Sequence, residues 1–552
     1  MWRFDDCQST LFTYNALFSK LASEGYTTQS FPYDWRRDVR DSADDLYEKI
    51  VSLRVSGPRV AIVAHSLGGL VVAAMLVKHP ELYTSGDLAD IVLLGTPLKG
   101  LAIAYATVEG FKSPLDQLVS PAVASRLSSN WPSMYELMPR WTVPPLLTDA
   151  RLGGQSYPPN EVFLGNVAAD LTNLFPPLTT QGVTDGATLW KNILNLPSYP
   201  KGHAIVGVGQ ATLTGMKVPA LEPAGLIALP KPCVEGVVGN GDNTVPYDSS
   251  IDVEALWIPA DEFRYIAEKH VSLPSNQTVI QGILAVLGGA HLPLNSVLTA
   301  SPSTTFPAQQ SFQKCSPIDL TVTDGAGDTI SKSMRTIPDA QSFVVGDTAQ
   351  YFVPSADQYN VAVQGTGTGV FNIFVRQTDT AGNETVIGSF NDVPVTSISS
   401  GTFSLNSGAL SNLQYNFAGK AVIDTIPANV TPPTILCTGC YFIIQNLRAT
   451  FAFSVGYQGG VSTFAYNYRS SSQAIQFVST ATSQIAVSGT TATFSGQGTL
   501  NGKSGYSFAV TTTDGGAAGS GLDTCSITIT GPGNYSYIVN ATVVGGDVVV
   551  HP

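Results

Sequence analysis

Two stretches of this chain hold the residue types that nucleophilic acyl transfer requires. The first is Ala64 to Gly69 (AHSLGG), which follows the wholly apolar run Val60 to Ala64 and opens the small-residue-rich segment Leu67 to Lys78. A strand, a sharp turn bearing Ser and a helix make a nucleophile elbow, which lifts the hydroxyl clear of the backbone at the top of a sheet. Ser66 is therefore the expected nucleophile. Small residues flank it at Ala64 and Gly68, where strand and helix must pass closely. The Leu67 amide, at the helix N-terminus, is the expected oxyanion donor.

A Ser hydroxyl needs a base, and the base needs an orienting carboxylate. On an α/β-hydrolase sheet these follow in the order Ser, Asp or Glu, His. The histidines are His65, His79, His203, His270, His291 and His551. His65 adjoins the Ser but is expected to point away along a strand end. His79 precedes a proline, His203 comes before the expected acid, and His551 lies in a remote β-rich region. His270 closes a strand pattern before the last helix and is preferred to His291, which ends a Gly-rich loop. The preferred acid is Asp242 in Gly239 to Pro246 (GNGDNTVP), a tight loop after a strand; Asp248 is the competitor, and an ordinary Asx turn would also use Asp242.

Positioning these groups requires a sheet. Helical spacing over 9–24 and 38–54, strand patterns over 60–64, 91–94 and 204–208 and before His270, and a last helix over 277–288 alternate as in an α/β fold. Residues 98–200 break that rhythm and are rich in Pro, Leu and Trp (Trp131, Trp141, Trp190, Pro144 with Pro145, Pro176 with Pro177), as expected of a lid inserted into the sheet. The hydrolase domain is thus expected over 1–296. A linker follows over 297–314, then a β-sandwich over 315–424, a second linker over 425–436 and a second β-sandwich over 437–552.

Composition narrows the function classes. The chain has 552 residues, 43% of them hydrophobic, enough for several cores. Its net charge of -13 comes without any Lys/Arg block, which argues against nucleic acid as a partner and against a basic stripe for anionic membranes. No apolar run approaches the roughly 18–20 residues of a spanning helix. Met1 to Asp6 has no signal-peptide pattern. Of the cysteines Cys7, Cys233, Cys315, Cys437, Cys440 and Cys525, the CxxC of Cys437 and Cys440 lacks a second pair at zinc spacing. A disulfide within it, or a Cys440–Cys525 bridge, is expected; no metal or cofactor is.

Several runs taken together resemble the lecithin:cholesterol acyltransferase family: Phe31 to Arg36 (FPYDWR), Ala64 to Gly69, Gly95 to Gly100 (GTPLKG), Pro132 to Pro139 (PSMYELMP), Gly241 to Pro246 (GDNTVP) and Lys269 with His270. The resemblance covers roughly residues 10–290. It implies an α/β-hydrolase fold and a nucleophile, acid and base at Ser66, Asp242 and His270. It implies a lipid-ester substrate whose acyl group rests on the Ser and passes to an alcohol or to water. It also implies a segment Phe31 to Arg36 packed beneath the site, with Asp34 and Arg36 as a structural ion pair. Family members open with a strand whose loop supplies the second oxyanion donor. Here the chain starts at the following helix, so a truncated gene product lacking that strand and a signal peptide is expected; the coding DNA upstream of Met1 tests this. The β-rich regions resemble modules of secreted bacterial proteins, which implies a bacterial source and an extracellular or cell-surface location.

The expected function is serine-dependent lipid acyl transfer or hydrolysis, with a lipid or other ester as partner and transient contact with a membrane or lipoprotein-like surface. Two alternatives stand beside it. One is a surface adhesin carrying a degenerate hydrolase domain; the other is a polyester depolymerase whose sandwiches grip the polymer.

Overall fold

A computed structural model describes residues 8–54, 59–108, 121–139, 147–149, 155–157, 180–218, 233–250, 257–315, 317–345, 348–356, 358–367, 369–416, 424–428, 434–455, 463–471, 473–516 and 522–551. Cys7, Trp141 and the proline pairs at 144–145 and 176–177 lie outside these residues. The chain opens with helices α1 (Gln8–Ser23) and α2 (Val39–Arg54), strand β1 (Val60–His65), helix α3 (Gly68–Lys78) and strand β2 (Leu88–Leu94). Within 98–200 come α4 (Ala102–Val108), α5 (Pro121–Ser128), α6 (Pro132–Glu136), β3 (Leu147–Asp149), β4 (Gln155–Tyr157) and α7 (Thr180–Leu194). Then follow β5 (Gly202–Val208), β6 (Gln210–Val218), β7 (Glu235–Gly241), α8 (Tyr247–Ser250), β8 (Phe263–Ala267), a 3-10 turn over His270–Ser275 and α9 (Gln277–Leu287).

The four strands β1, β2, β5 and β8 lie side by side in that order, all parallel. Their side chains alternate between two cores, as the period of two demands. Ile91, Leu93, Ala204, Val206 and Tyr265 face a layer with α2 and α3; Val92, Leu94, Ile205 and Ile266 face α1 and α9. Burial of each such aliphatic side chain contributes about 1.5–3 kcal/mol before entropy is counted. Parallel strands bring all their C-terminal ends to one edge, and that edge carries Ser66 after β1, Gly95 after β2 and His270 after β8.

A second sheet, in the order β4, β3, β6, β7, ends in Gly241, immediately before Asp242. One face of it docks on the next module. Leu213, Val234 and Val238 share a core with Phe343 and Phe352. Polar ties cross the same face: the amide groups of the buried Gln313 and Gln341 donate to the carbonyls of Val234 (3.2 Å) and Ala211 (2.8 Å), and Gly236 N donates to Gln350 Oε1 at 2.8 Å. Arg376 pairs with Glu235, and a disulfide joins Cys233 to Cys315.

That module is a two-sheet β-sandwich over 309–426. Its five-stranded sheet has Gln309–Cys315 at the centre, flanked by 348–354 and 341–345 on one side and by 369–378 and 384–395 on the other. Its seven-stranded partner sheet includes Gln358–Gly365, whose strict alternation of exposed and buried residues marks one wet and one packed face. The expected linker over 297–314 is therefore shorter, because its last residues form this central strand. Gln-rich composition hid it: Gln309, Gln310 and Gln313 are buried rather than solvated, and Gln313 donates to the carbonyl of Val234.

The last region differs from the expected pair of sheets. Residues 434–551 form one nine-stranded antiparallel sheet in which the final strand Gly545–His551 pairs back on the first, Thr434–Ile444. The sheet curls around its own core of Phe442, Phe451, Phe464, Phe477 and Phe508. The first strand, Thr434–Ile444, begins inside the expected linker over 425–436, and the strand Asp424–Ile426 ends inside it. Cys437 bridges Cys440 across a bulge, and Cys525 is a buried free thiol, so a Cys440–Cys525 bridge is not formed.

Candidate active site

Ser66 has a left-handed backbone, with φ of +56°. For a residue with a Cβ this conformation is strained, and strain of this kind collects at functional turns. The turn is held from both sides: Ser66 N donates to Leu94 O at 2.9 Å, and Gly69 N donates to Ser66 O at 3.0 Å. Leu67 caps α3 and its backbone amide has no acceptor among the described residues, which leaves it available at the mouth of the turn. The closest approach of helix and neighbouring strand is at Gly69 rather than Gly68. A Cβ on Gly69 would lie 2.1 Å from Thr96 Oγ1, whereas one on Gly68 would make ordinary contacts with Tyr33 Oη at 3.7 Å and Ala64 Cβ at 3.8 Å.

Asp242 is wholly buried. Its Oδ1 accepts from Thr244 N at 3.0 Å and Val245 N at 2.6 Å, the Asx turn that its loop sequence suggested. Its Oδ2 is left for His270, whose Nδ1 donates to it at 2.7 Å. The structural and functional readings of Asp242 are thus served by different oxygens of one carboxylate. Asn243 takes the next position at φ +77°, a conformation that Asn tolerates, and its N–H donates to Thr212 Oγ1 at 2.8 Å. The His270 loop is braced from below: Glu268 accepts from Lys269 N and from Asn276 Nδ2, both at 2.8 Å, while Asn276 Oδ1 caps α9.

The other expected contenders are elsewhere. Asp248 is half-buried on α8, where burial raises its carboxyl against the pull of Lys99, and it bonds no histidine among the described residues. His291, with 85% of its side chain exposed, binds Glu262, which His203 also contacts at 2.6 Å. Asp34 and Arg36 do form an ion pair, at 2.7 Å, but both are about 40% exposed and the pair is local. An exposed pair of this kind contributes little. From the segment Phe31 to Arg36 it is Tyr33, not the ion pair, that reaches the elbow; burial, and then Tyr14, push its phenol well above the ordinary range.

Gly95, next after β2, lies under the Asp242–His270 pair. A Cβ there would meet Asp242 Oδ2 and His270 Nδ1, each at 3.0 Å, and Leu273 Cδ1 at 2.8 Å. Ser66 N bonds to the preceding residue, Leu94, so the Asp242–His270 pair stands over the strand end that anchors the elbow. No hydrogen bond joins Ser66 Oγ to the His270 ring among the described residues; in ligand-free hydrolases such contacts commonly tighten with substrate.

The short motifs noted in the sequence are physically joined. Leu101 N donates to Leu137 O at 2.7 Å, Lys99 N donates to Ser249 O at 2.9 Å, and Ser249 Oγ donates to Gly100 O. Residues 95–100, 132–139 and 246–250 therefore form one shelf beside the elbow. His65 was not expected to take part, yet its ring lies against that of His270 with centroids 4.6 Å apart. No local pattern could reveal this contact, because the two residues are 205 positions apart.

Residues 4–176 match the family model for lecithin:cholesterol acyltransferase. The match spans the elbow and the shelf segments at 95–100 and 132–139; the Asp242 and His270 loops lie beyond it. No curated protein matches the sequence. Among solved structures the chain is similar to the Tle4–Tli4 complex, at 15% identity over 46% of this chain and 66% of that one, with a TM-score of 0.34. It is also similar to the propeptide form of the Bacillus licheniformis lipase BlEst2 (11% identity, 96% and 93% covered, TM-score 0.29). A third is phospholipase PlaB from Legionella pneumophila in complex with thio-NAD (12% identity, 64% and 82% covered, TM-score 0.23). The chain spans just under two thirds of the first of these. Over residues 4–176 the chain is similar to the lecithin:cholesterol acyltransferase family.

Proposed function

We propose that the chain is a serine-dependent O-acyltransferase or carboxylic ester hydrolase that acts on lipid esters through an acyl-Ser66 intermediate. The observation that carries this reading is the buried Asp242–His270 hydrogen bond, held at the same sheet edge as the left-handed Ser66. In this mechanism His270 Nε2 takes the Ser66 proton as Oγ attacks the ester carbonyl. Asp242 keeps the other ring nitrogen protonated and offsets the imidazolium charge, and the Leu67 amide donates to the oxyanion. The alcohol departs with the proton from His270. Water or an acceptor alcohol then attacks the acyl-Ser66 with His270 again as base, restoring the hydroxyl.

The segment 98–200, part of which forms the shelf beside the elbow, is assigned as the lid that sets acyl and headgroup preference. An extracellular or cell-surface location is supported by two disulfides, which persist in oxidising compartments.

Turnover of short p-nitrophenyl esters and of phospholipid vesicles, measured beside Ser66→Ala, tests the proposal, with product analysis separating transfer to an alcohol from hydrolysis. Ser66-dependent release of acyl groups from both substrates is expected. Equal rates for the two proteins would instead favour a binding role, and Ser66-dependent turnover of polyester film without phospholipid turnover would favour a depolymerase.

A further inference from the structure

We propose that His65 is a positioning residue, a neutral imidazole that ties the nucleophile's own strand to the base and holds the base's ring. This deepens the reading of Ser66 and His270 as nucleophile and base, and rests on it. Both ring nitrogens of His65 are engaged, and their partners define its tautomer. Nε2 lies 3.0 Å from the carbonyl oxygen of His270, which can only accept, so Nε2 carries the hydrogen. Nδ1 is then the acceptor, and Tyr14 Oη donates to it at 2.8 Å. The ring of Tyr14 meets that of His65 edge-on, at 5.8 Å and 71°.

These contacts complete the restraint of His270. Its N–H donates to Asp242 O at 2.8 Å, its Nδ1 donates to Asp242 Oδ2 at 2.7 Å, and its carbonyl accepts from His65. One ring face is covered by the His65 ring, tilted 36°. His65 directly precedes Ser66, so a single side chain couples the nucleophile's backbone to the base's backbone across 205 residues. The separation of Ser66 from His270 is thereby set by hydrogen bonds to His65 as well as by the sheet. Misplacement of a reacting group by about 1 Å can cost about a hundredfold in rate.

The electrostatics agree with the geometry. The titratable groups that face His65 are Tyr14 on α1 and His270 on the turn after β8, with Asp242 behind His270. Burial, and then His270, push the His65 imidazole down to about 3, which keeps it uncharged at neutral pH. Burial raises the Tyr14 phenol, which keeps its hydrogen for donation. A neutral ring against the base leaves room for the imidazolium that acyl transfer creates there; a second cation would oppose it.

The test compares His65→Leu, His65→Gln and Tyr14→Phe in the full chain. Gln keeps a donor toward the His270 carbonyl; Leu keeps volume alone. Two readouts are used: kcat and KM on a p-nitrophenyl ester across pH, and the downfield proton resonance of the His270 Nδ1–H bond to Asp242 in the resting protein. For His65→Leu, kcat is expected to fall about 10- to 100-fold with KM nearly unchanged, and the acid limb of the pH profile and the downfield resonance to shift. His65→Gln is expected to recover most of this, and Tyr14→Phe to show a weaker change in the same sense while melting as the parent does. An unmoved resonance and an unmoved profile in a folded His65→Leu protein would overturn the proposal. The resonance is read without turnover, so a response to His65→Leu in a protein whose Ser66→Ala variant loses nothing would uphold the positioning and refute the enzyme reading alone.

Discussion

His270 is bonded twice to Asp242: its imidazole Nδ1 reaches Asp242 Oδ2 at 2.7 Å, and its main-chain N–H reaches the Asp242 carbonyl at 2.8 Å. The side-chain bond orients the ring, and the main-chain bond fixes where the ring starts. The other carboxylate oxygen is occupied by Thr244 N and Val245 N, so the carboxylate cannot rotate to offer a different atom.

Asp242→Asn exploits that geometry. The Asn oxygen is held by the two main-chain donors, which turns its amide nitrogen toward His270 Nδ1. The ring must then accept at Nδ1 and carry its hydrogen on Nε2, the nitrogen required to take the Ser66 proton. Activity is expected to fall about 10⁴-fold, as tautomer reversal does in serine hydrolases. Thermal melts of the two proteins should stay close, and esterase assays with a stopped burst phase would check both binding and chemistry.

Gly95→Ala should separate site geometry from global folding. The added methyl would sit 3.0 Å from both Asp242 Oδ2 and His270 Nδ1, and the residue would hold φ of +53°, strained for Ala. A stability loss of about 1 kcal/mol or more is expected from the backbone alone. Activity should drop further than stability does, because the displaced atoms are those of the proposed acid and base. Urea denaturation alongside kcat measurements checks the two effects separately.

The sandwich at 309–426 supports the strand that delivers Asp242. Arg376 is the buried partner of Glu235 on β7, with Arg376 Nη1 also donating to Gln313 Oε1 at 2.7 Å. Arg376→Met would strand the Glu235 carboxylate, which burial already pushes upward. Removing one member of a buried ion pair typically costs about 3–5 kcal/mol. The double variant with Glu235→Gln should recover much of that loss, as judged by chemical denaturation midpoints.

Glu136 makes stability depend on pH. It is buried, accepts from Val39 N at 3.0 Å at the start of α2, and stands beside Asp38. Burial, and then Asp38, raise its carboxyl from 4.5 to about 9. The folded chain therefore holds this proton more tightly than the unfolded chain does. Its contribution is complete below about pH 4.5 and is lost progressively as pH rises toward about 9. Glu136→Gln removes the titration, so the melting temperature of the variant minus that of the parent should climb between pH 5 and 9. A difference that stays constant across this window would refute the assignment.

Much of the hydrolase sheet was legible because its signals are local. The apolar run before Ser66 is β1, the spacing over 9–24 is α1 (Gln8–Ser23), and the pattern before His270 is β8. Hydrophobic periodicity acts over a few residues, so a linear reading captures it. Chain order and loop chemistry likewise pointed to Asp242 and His270 ahead of Asp248 and His291, and the structure joins that pair. The Gln-rich stretch at 309–314 went unread as a strand because its polar side chains read as solvated; Gln313 is instead buried and donates to the main-chain carbonyl of Val234, 79 positions away. The last region was expected as two sheets; alternation fixes which face of a strand is buried, but not whether the ninth strand pairs with the first.

By itself the sequence pointed to the elbow at Ser66 and to Asp242 and His270 as candidate acid and base, since each reading depends on residue identity within a short window. Only the tertiary structure decided that the His65 ring lies against that of His270, that Gly95 makes room beneath the Asp242–His270 pair, and that a neighbouring module braces β7. Those contacts join residues tens to hundreds of positions apart, and burial and hydrogen-bond geometry exist only once the chain has closed on itself.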